Sequence, residues 1–428
     1  MSLINQSILS ISILLFCLSC SPPKNILIYE NKLDSYGPCE PSIIINPKNP
    51  DNIIAGSVLN FYHYSFDGGK TWTTEQLQSP LGVYGDPCVA ADADGNVYYL
   101  HLGDPEGTGW ESKRMLESIV IQRSADGGKT WNEGSAIGTN PPKQQDKEWI
   151  AINPANQHLY VSWTQFDRYG DRDPNCKTHI LFSQSTDLGE NWTKPIILSQ
   201  FPGNCIDDDN TVEGAVPAVG PNGEIYVAWG YEEKLFFDKS TDGGINWLQE
   251  DLIVAQQPGG WDMDIPGLGR SNGMPVTAVD LSDGPHRGTI YVNWADLRNG
   301  PDNCDIFLAY STDDGQNWSA PIKVNQDESN RHQFLPWMSV DPSTGYIYIV
   351  YYDRSRHDDL QTDVVVAVSK DGGRHFKNSR ISQESFVPPG KDVFFGDYNN
   401  ISAYNGRVRP IWTVYKNGYL SIWTALIQ

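Results

Sequence analysis

The chain has 428 residues, and its 31 Lys and Arg are outnumbered by 53 Asp and Glu, for a formal net charge of −22. A field of that sign repels nucleic acid and anionic lipid, which excludes DNA binding and basic membrane docking. The 39 Gly, 28 Pro, 14 Trp and 21 Tyr favour turns and strands over helical bundles and coiled coils, which are rich in Ala, Leu, Glu and Lys.

Residues 8–18 form an apolar run of the length of an export-signal core, too short to span a bilayer. The run ends in Leu18-Ser19-Cys20, followed by Ser21-Pro22-Pro23, and resembles a bacterial lipoprotein signal. That resemblance implies a signal peptide over 1–19, a lipid on Cys20, a tether over 20–35 and a single domain over 36–428. The expected location is the outer membrane or cell surface, with contact to the membrane through the lipid alone. A plain secretory signal would instead leave the protein periplasmic.

Export permits disulfides. The cysteines after Cys20 are Cys39, Cys88, Cys176, Cys205 and Cys304, an odd number, so at least one stays outside any pair. Their spacing matches no zinc motif, and no loop has calcium-site spacing, so no metal and no cofactor are expected.

Along the body one motif recurs six times, Ser-x-Asp-x-Gly-x-x-aromatic, centred on Asp67, Asp126, Asp187, Asp242, Asp313 and Asp371. The Asp-to-Asp steps are 59, 61, 55, 71 and 58 residues, the period of a repeat architecture. Each piece has a mechanical role. Asp accepts hydrogen bonds from backbone N–H groups ahead of it, Gly takes the positive-φ position, and the aromatic residue opens the next strand. The motif resembles the Asp-box, or BNR repeat, of sialidase-like β-propellers.

Two strand-like runs precede each box, joined by Pro, Asn or Gly turns. The first of each pair covers 41–45, 88–91, 149–152, 215–219, 274–279 and 337–340. A seventh copy without a box starts at 400–403 and continues through 408–414 and 420–426. The expected fold is all-β, a seven-bladed β-propeller. The last blade lacks a fourth strand, which residues 25–29 would supply, closing the ring and removing sheet edges.

In such a ring the first strand of each blade lines the axis, and the boxes, joining third to fourth strands, mark one end, the bottom. The opposite mouth is built from first-strand starts and second-strand exits. The starts are Glu40, Asp86, Lys147 and Glu148, Glu213, Arg270 and Asn272, Arg331 and His332, and Asp397 and Tyr398. The exits include His101, Arg168, Glu232, Asp296 and Arg298, and Tyr352, Asp353 and Arg354. Converging polar groups in a concave mouth are the default site for a small polar ligand. The plain structural alternatives are backbone hydrogen bonding for the carboxylates and pairing of Arg298 with Asp296. Cys39 and Cys88 fall at neighbouring first-strand tops, and Cys176 and Cys205 in neighbouring top loops; both are expected disulfide pairs.

The body resembles the sialidase superfamily and exported sialidase-like bacterial proteins, in stretches such as Glu40-Pro-Ser-Ile-Ile-Ile-Asn-Pro and Phe395-Gly-Asp-Tyr-Asn-Asn-Ile. Sialidases hold the substrate carboxylate with three Arg, the first at the start of the first blade, where this chain has Cys39-Glu40-Pro41-Ser42. Seven blades with His, Tyr and Arg in the mouth are also similar to ulvan lyases. That resemblance implies β-elimination on an acidic, uronic-acid-containing oligosaccharide. Arg298, Arg331 or Arg354 would neutralise the uronate. His101 or His332 would abstract the C5 proton, and Tyr352 or Tyr398 would protonate the leaving oxygen. Asp86, Glu148 and Asp397 would bind the sugar. The alternatives are a sialidase-like hydrolase, with Tyr352 or Tyr398 paired to Glu213, and a non-catalytic glycan-binding propeller. A monomer is expected in each case.

Overall fold

The computed structural model describes residues 22–32 and 37–428; the signal segment and Cys20 lie outside them. Seven four-stranded antiparallel sheets make up the described chain. Their innermost strands are Ser42–Ile45, Cys88–Ala91, Gln144–Ile152, Glu213–Val219, Val276–Val279, Gln333–Val340 and Asn400–Tyr404, defining blades 1 to 7. Each inner strand packs beside the next, and that of blade 7 packs beside that of blade 1. The outer strand of blade 7 is the N-terminal Asn25–Glu30, antiparallel to Tyr419–Ala425 with a bulge between Leu27 and Tyr29. The helical content among the described residues is one 3-10 turn, Gly109–Glu111. No helix there is long and apolar enough to cross a membrane.

The second strands of blades 3, 4 and 5 carry the pattern Tyr-Val-x-Trp, and Trp163, Trp229 and Trp294 are fully buried, as is Trp412 in blade 7. These large rings fill the wedges between blades. Truncating one to Ala costs about 3–5 kcal/mol.

Each box is a closed hydrogen-bond unit. In the first, the Ser65 hydroxyl donates to Asp67 Oδ1 at 2.8 Å and accepts the Gly69 N–H at 2.9 Å. The Lys70 and Thr71 N–H groups donate to the same Asp oxygen at 2.9 and 3.0 Å. The Thr71 hydroxyl takes the other oxygen at 2.7 Å, and Trp72 Nε1 donates to the Gly69 carbonyl at 3.0 Å. The Ser-to-Asp and Gly-to-Ser bonds recur in all six boxes.

Cys176 and Cys205 form a disulfide with Cα atoms 5.8 Å apart. Cys39 and Cys88 do not; both are buried thiols. The reason is their register. Glu40 and Asp86 are equivalent positive-φ positions of blades 1 and 2. Cys39 precedes that position by one residue and Cys88 follows it by two, so the two side chains leave the backbone in different directions.

Candidate functional site

The mouth is shaped by a backbone device that repeats around the ring. Near the top of six inner strands one residue has positive φ: Glu40 (48°), Asp86 (50°), Lys147 (54°), Gly214 (76°), Leu335 (49°) and Gly396 (99°). In blades 3, 4 and 6 the strand register breaks across this residue, the mark of a β-bulge, which re-aims side chains. Two residues further on, three blades place a ring on the axis. Trp149 and Trp337 have centroids 4.1 Å apart, and Tyr398 lies 5.1 Å from Trp149. These side chains plug the channel and give the mouth a floor. At Gly396 a Cβ would come within 2.9 Å of the Glu40 nitrogen, so this position needs glycine.

A cavity of about 310 Å³ has a lining that includes Glu40, Asp86, Asp146, Lys147, Arg270 and Asp397. Its walls include Tyr84, Trp110, Tyr169 and Phe394. Lys147 crosses between blades: its ammonium lies 2.8 Å from Asp397 Oδ2, 3.1 Å from Asp86 Oδ2 and 3.9 Å from Glu40 Oε1. Arg270, from the segment leading into blade 5, reaches Asp397 Oδ1 at 2.7 Å and Asp207 Oδ2 at 3.0 Å. The Tyr169 hydroxyl donates to Asp207 Oδ2 at 2.6 Å, and Trp261 Nε1 to Asp207 Oδ1 at 3.0 Å. Tyr169 and Asp207 belong to the two loops that the disulfide ties together, and the Gly170 N–H donates to the Cys205 carbonyl at 2.7 Å.

These surroundings separate the carboxyl groups into two kinds. Burial raises Asp397, but Arg270 and Lys147 outweigh it and hold the group below the usual range. Burial also pushes Asp146 up, and the nearby Asp86 and Asp207 add to that, so that even beside Lys147 it titrates at about 8. Glu40, Glu148 and Glu213 are driven well above the carboxylate range, mainly by burial. Neither oxygen of Glu148 or Glu213 bonds to another residue. Tyr169 is raised by burial and then by Asp207. Lys147 is held firmly protonated, because four carboxyl groups outweigh its burial. The cavity therefore offers a proton donor, Asp146, near Asp86, whose carboxyl group lies 3.1 Å from the Lys147 ammonium. Two carboxyl groups whose environments divide them in this way can serve as an acid and a base.

The structure gathers only part of the expected set. Asp86 and Asp397 line the cavity. Glu148 and Glu213 are buried beside the cluster, and Tyr398 lies in the aromatic floor. The structure places the other expected positions away from this cavity. Tyr352 is buried between blades 6 and 7, where its hydroxyl donates to the Thr413 carbonyl and accepts the Thr413 N–H, each at 3.0 Å. His101 faces Gln122 within blade 2 at 3.2 Å, and burial pushes it down to about 4. His332 accepts the Cys304 N–H at 3.3 Å between blades 5 and 6. Arg298 grips Asp296 through Nε, at 2.9 and 3.0 Å, and stacks over Phe307. Arg331 pairs with the exposed Asp358 at 3.2 Å. Arg354 is buried, donating to the Pro266 carbonyl at 2.7 Å and to Thr362 at 3.1 Å. None of these last six lines the cavity. Glu40, Lys147 and Arg270 were visible as first-strand starts, whereas Asp146, Tyr169 and Asp207 carried no mark in the sequence.

The BNR/Asp-box repeat family model matches residues 63–74 and 309–320. The chain carries BNR/Asp-box repeats. It is similar to the sialidase of Micromonospora viridifaciens, 21% identical over 354 residues, which cover 80% of this chain and 44% of that protein. It is also similar to the xyloglucanase Xgh74A of Acetivibrio thermocellus, 26% identical over 271 residues, covering 58% of this chain and 29% of that one. The chain thus spans less than half the length of either relative. Among solved structures, the fold is shared with an ulvan lyase bound to -[GlcA(1-4)Rha3S]-, TM-score 0.57 at 12% identity over 93% of this chain and 95% of that one. It is shared too with the NanB sialidase of Streptococcus pneumoniae, TM-score 0.52 at 12% identity over 88% and 83% of the two chains. The likeness to these solved structures is one of fold.

Proposed function

We propose that this propeller is a carbohydrate-active enzyme that cleaves a glycan in the top cavity by acid–base chemistry of the glycoside-hydrolase type. Asp146 is the proton donor to the leaving oxygen, and Asp86 is the carboxylate that activates water or meets the sugar carbon. The observation that carries the reading is the division of two neighbouring cavity carboxyls, one kept protonated to about pH 8 and the other paired with a buried ammonium. The likeness to a xyloglucanase and to sialidases supports a glycan as substrate.

Elimination on a uronic-acid saccharide is the second reading. It is favoured by Tyr169 standing beside Arg270 over Asp207, a phenol next to a guanidinium. Against it, the raised Tyr169 makes a poor phenolate base, and no His lines the cavity. We also infer action outside the cytoplasm, with Cys20 as lipid anchor; the Cys176–Cys205 disulfide supports an oxidising compartment.

The test is to incubate the protein with neutral, sialylated and uronic-acid oligosaccharides and weigh the products. Fragments that together gain one water support hydrolysis. An unsaturated uronate formed without water overturns it in favour of elimination.

A further inference from the structure

We propose that the top cavity recognises an uncharged sugar ring, stacked on Trp110, and discriminates against uronic and sialic acids. This inference rests on the cavity being the glycan site and goes further by naming the charge class of its ligand. The argument begins with where the cations go. The lining contains two, Lys147 and Arg270, against four carboxyl residues, Glu40, Asp86, Asp146 and Asp397. Both cations are committed to the protein: Lys147 to Asp397 and Asp86 at 2.8 and 3.1 Å, and Arg270 to Asp397 and Asp207 at 2.7 and 3.0 Å. A ligand carboxylate would have to displace one of these partners and leave a buried carboxylate without a counter-charge, or else enter beside it unpaired. Both are costly.

The walls fit an uncharged ring instead. Trp110 is 66% exposed, and its ring centroid is 5.7 Å from that of Tyr169, the two planes tilted at 40°. An indole held at the rim of a pocket is a platform for the C–H face of a pyranose, and the carboxyl groups behind it are acceptors and donors for hydroxyls. The cluster also has a lock that can be opened. Asp397 is the one carboxylate shared by Lys147 and Arg270, so removing its charge releases part of both.

The experiment compares uronic-acid polysaccharides with their carboxyl-reduced counterparts, together with xyloglucan oligosaccharides. Binding is followed by calorimetry on the wild type and on Asp146→Asn, and turnover is measured separately. The reduced polymer should bind at least roughly tenfold tighter than its charged parent. Trp110→Ala should weaken neutral-sugar binding with an unchanged melting temperature. Asp397→Asn should narrow or reverse the preference, and Asp207→Asn, which frees Arg270 alone, should do so less. Tighter binding of the charged form, no binding of any neutral glycan, or indifference to Trp110→Ala would overturn the inference. Neutral binding without turnover would leave the inference standing and remove the acid–base reading. Turnover restricted to uronates would do the reverse.

Discussion

At the bottom of the ring, Asp67 collects the N–H groups of Lys70 and Thr71 and the hydroxyls of Ser65 and Thr71, and these bonds overcome its slight burial to hold it at about 2. At the top, Asp146 accepts one backbone N–H, from Lys147 at 2.9 Å, and burial carries it to about 8. Glu148 and Glu213 sit in the same region with no bond to another residue. The side-chain chemistry is the same and the surroundings are opposite. A carboxylate supplied with donors is a staple, and one deprived of them keeps a proton available for transfer. Function in this fold is written less in which acidic residues are present than in how many donors each is given.

The sharpest way to break that contrast is Asp146→Asn. It should leave the fold intact and lower turnover by about 10²–10⁴-fold, read from initial rates on whichever glycan is cleaved. Next is Lys147→Met, which strips the common counter-charge from Asp86, Asp397 and Glu40. Breaking a buried ion cluster from one side should cost about 3–5 kcal/mol, measured by denaturant unfolding; a loss under 1 kcal/mol would mean that the cluster behaves like a surface pair. Reducing Cys176–Cys205 should cost about 2–4 kcal/mol and weaken ligand binding more than it lowers the catalytic rate, because Tyr169 and Asp207 lie on the joined loops. At the bottom, Ser65→Ala removes the hub of one box and should cost about 1 kcal/mol with turnover unchanged.

The pH dependence of stability has a sign that separates the two ends. The folded Asp146 keeps a proton that the unfolded chain releases near pH 3.9. Its contribution to stability is therefore complete below that pH and is lost as pH rises through about 8. Asp67 behaves conversely: its contribution is present above about pH 4 and is lost as pH falls through about 2. Melting curves across pH should show Asp146→Asn flattening the decline between about pH 4 and about 8, and Asp67→Asn flattening the loss between about pH 4 and about 2. The general-acid role requires activity to fall as pH rises above about 8.

The ring was legible because its signals are local and repeated. Ser-x-Asp-x-Gly-x-x-aromatic fixes a turn within eight residues, and the paired strand-like runs ahead of each box count the blades. The mouth was only partly legible, for reasons specific to its residues. Positive φ at Glu40, Asp86 and Lys147 has no residue-type signature, so the backbone geometry at these positions was invisible. Tyr169 and Asp207 meet across loops 38 residues apart in sequence. His101 looked like a strand exit, but the strand runs Val97–Leu102 and turns it toward Gln122. Arg298 was absorbed by its own neighbour Asp296, a short-range pairing that outcompetes any distant ligand.

The bulge has a meaning for how such a mouth can change over generations. Six blades offer the same backbone socket, filled here by Glu40, Asp86, Lys147, Gly214, Leu335 and Gly396. The sockets are not equally free: a side chain at Gly214 or Gly396 would collide with its neighbours, and Lys147 holds the ion cluster together. Ligand preference can drift where an exchange, as at Glu40 or Asp86, alters charge or reach in the cavity and leaves the boxes at the far end as they are.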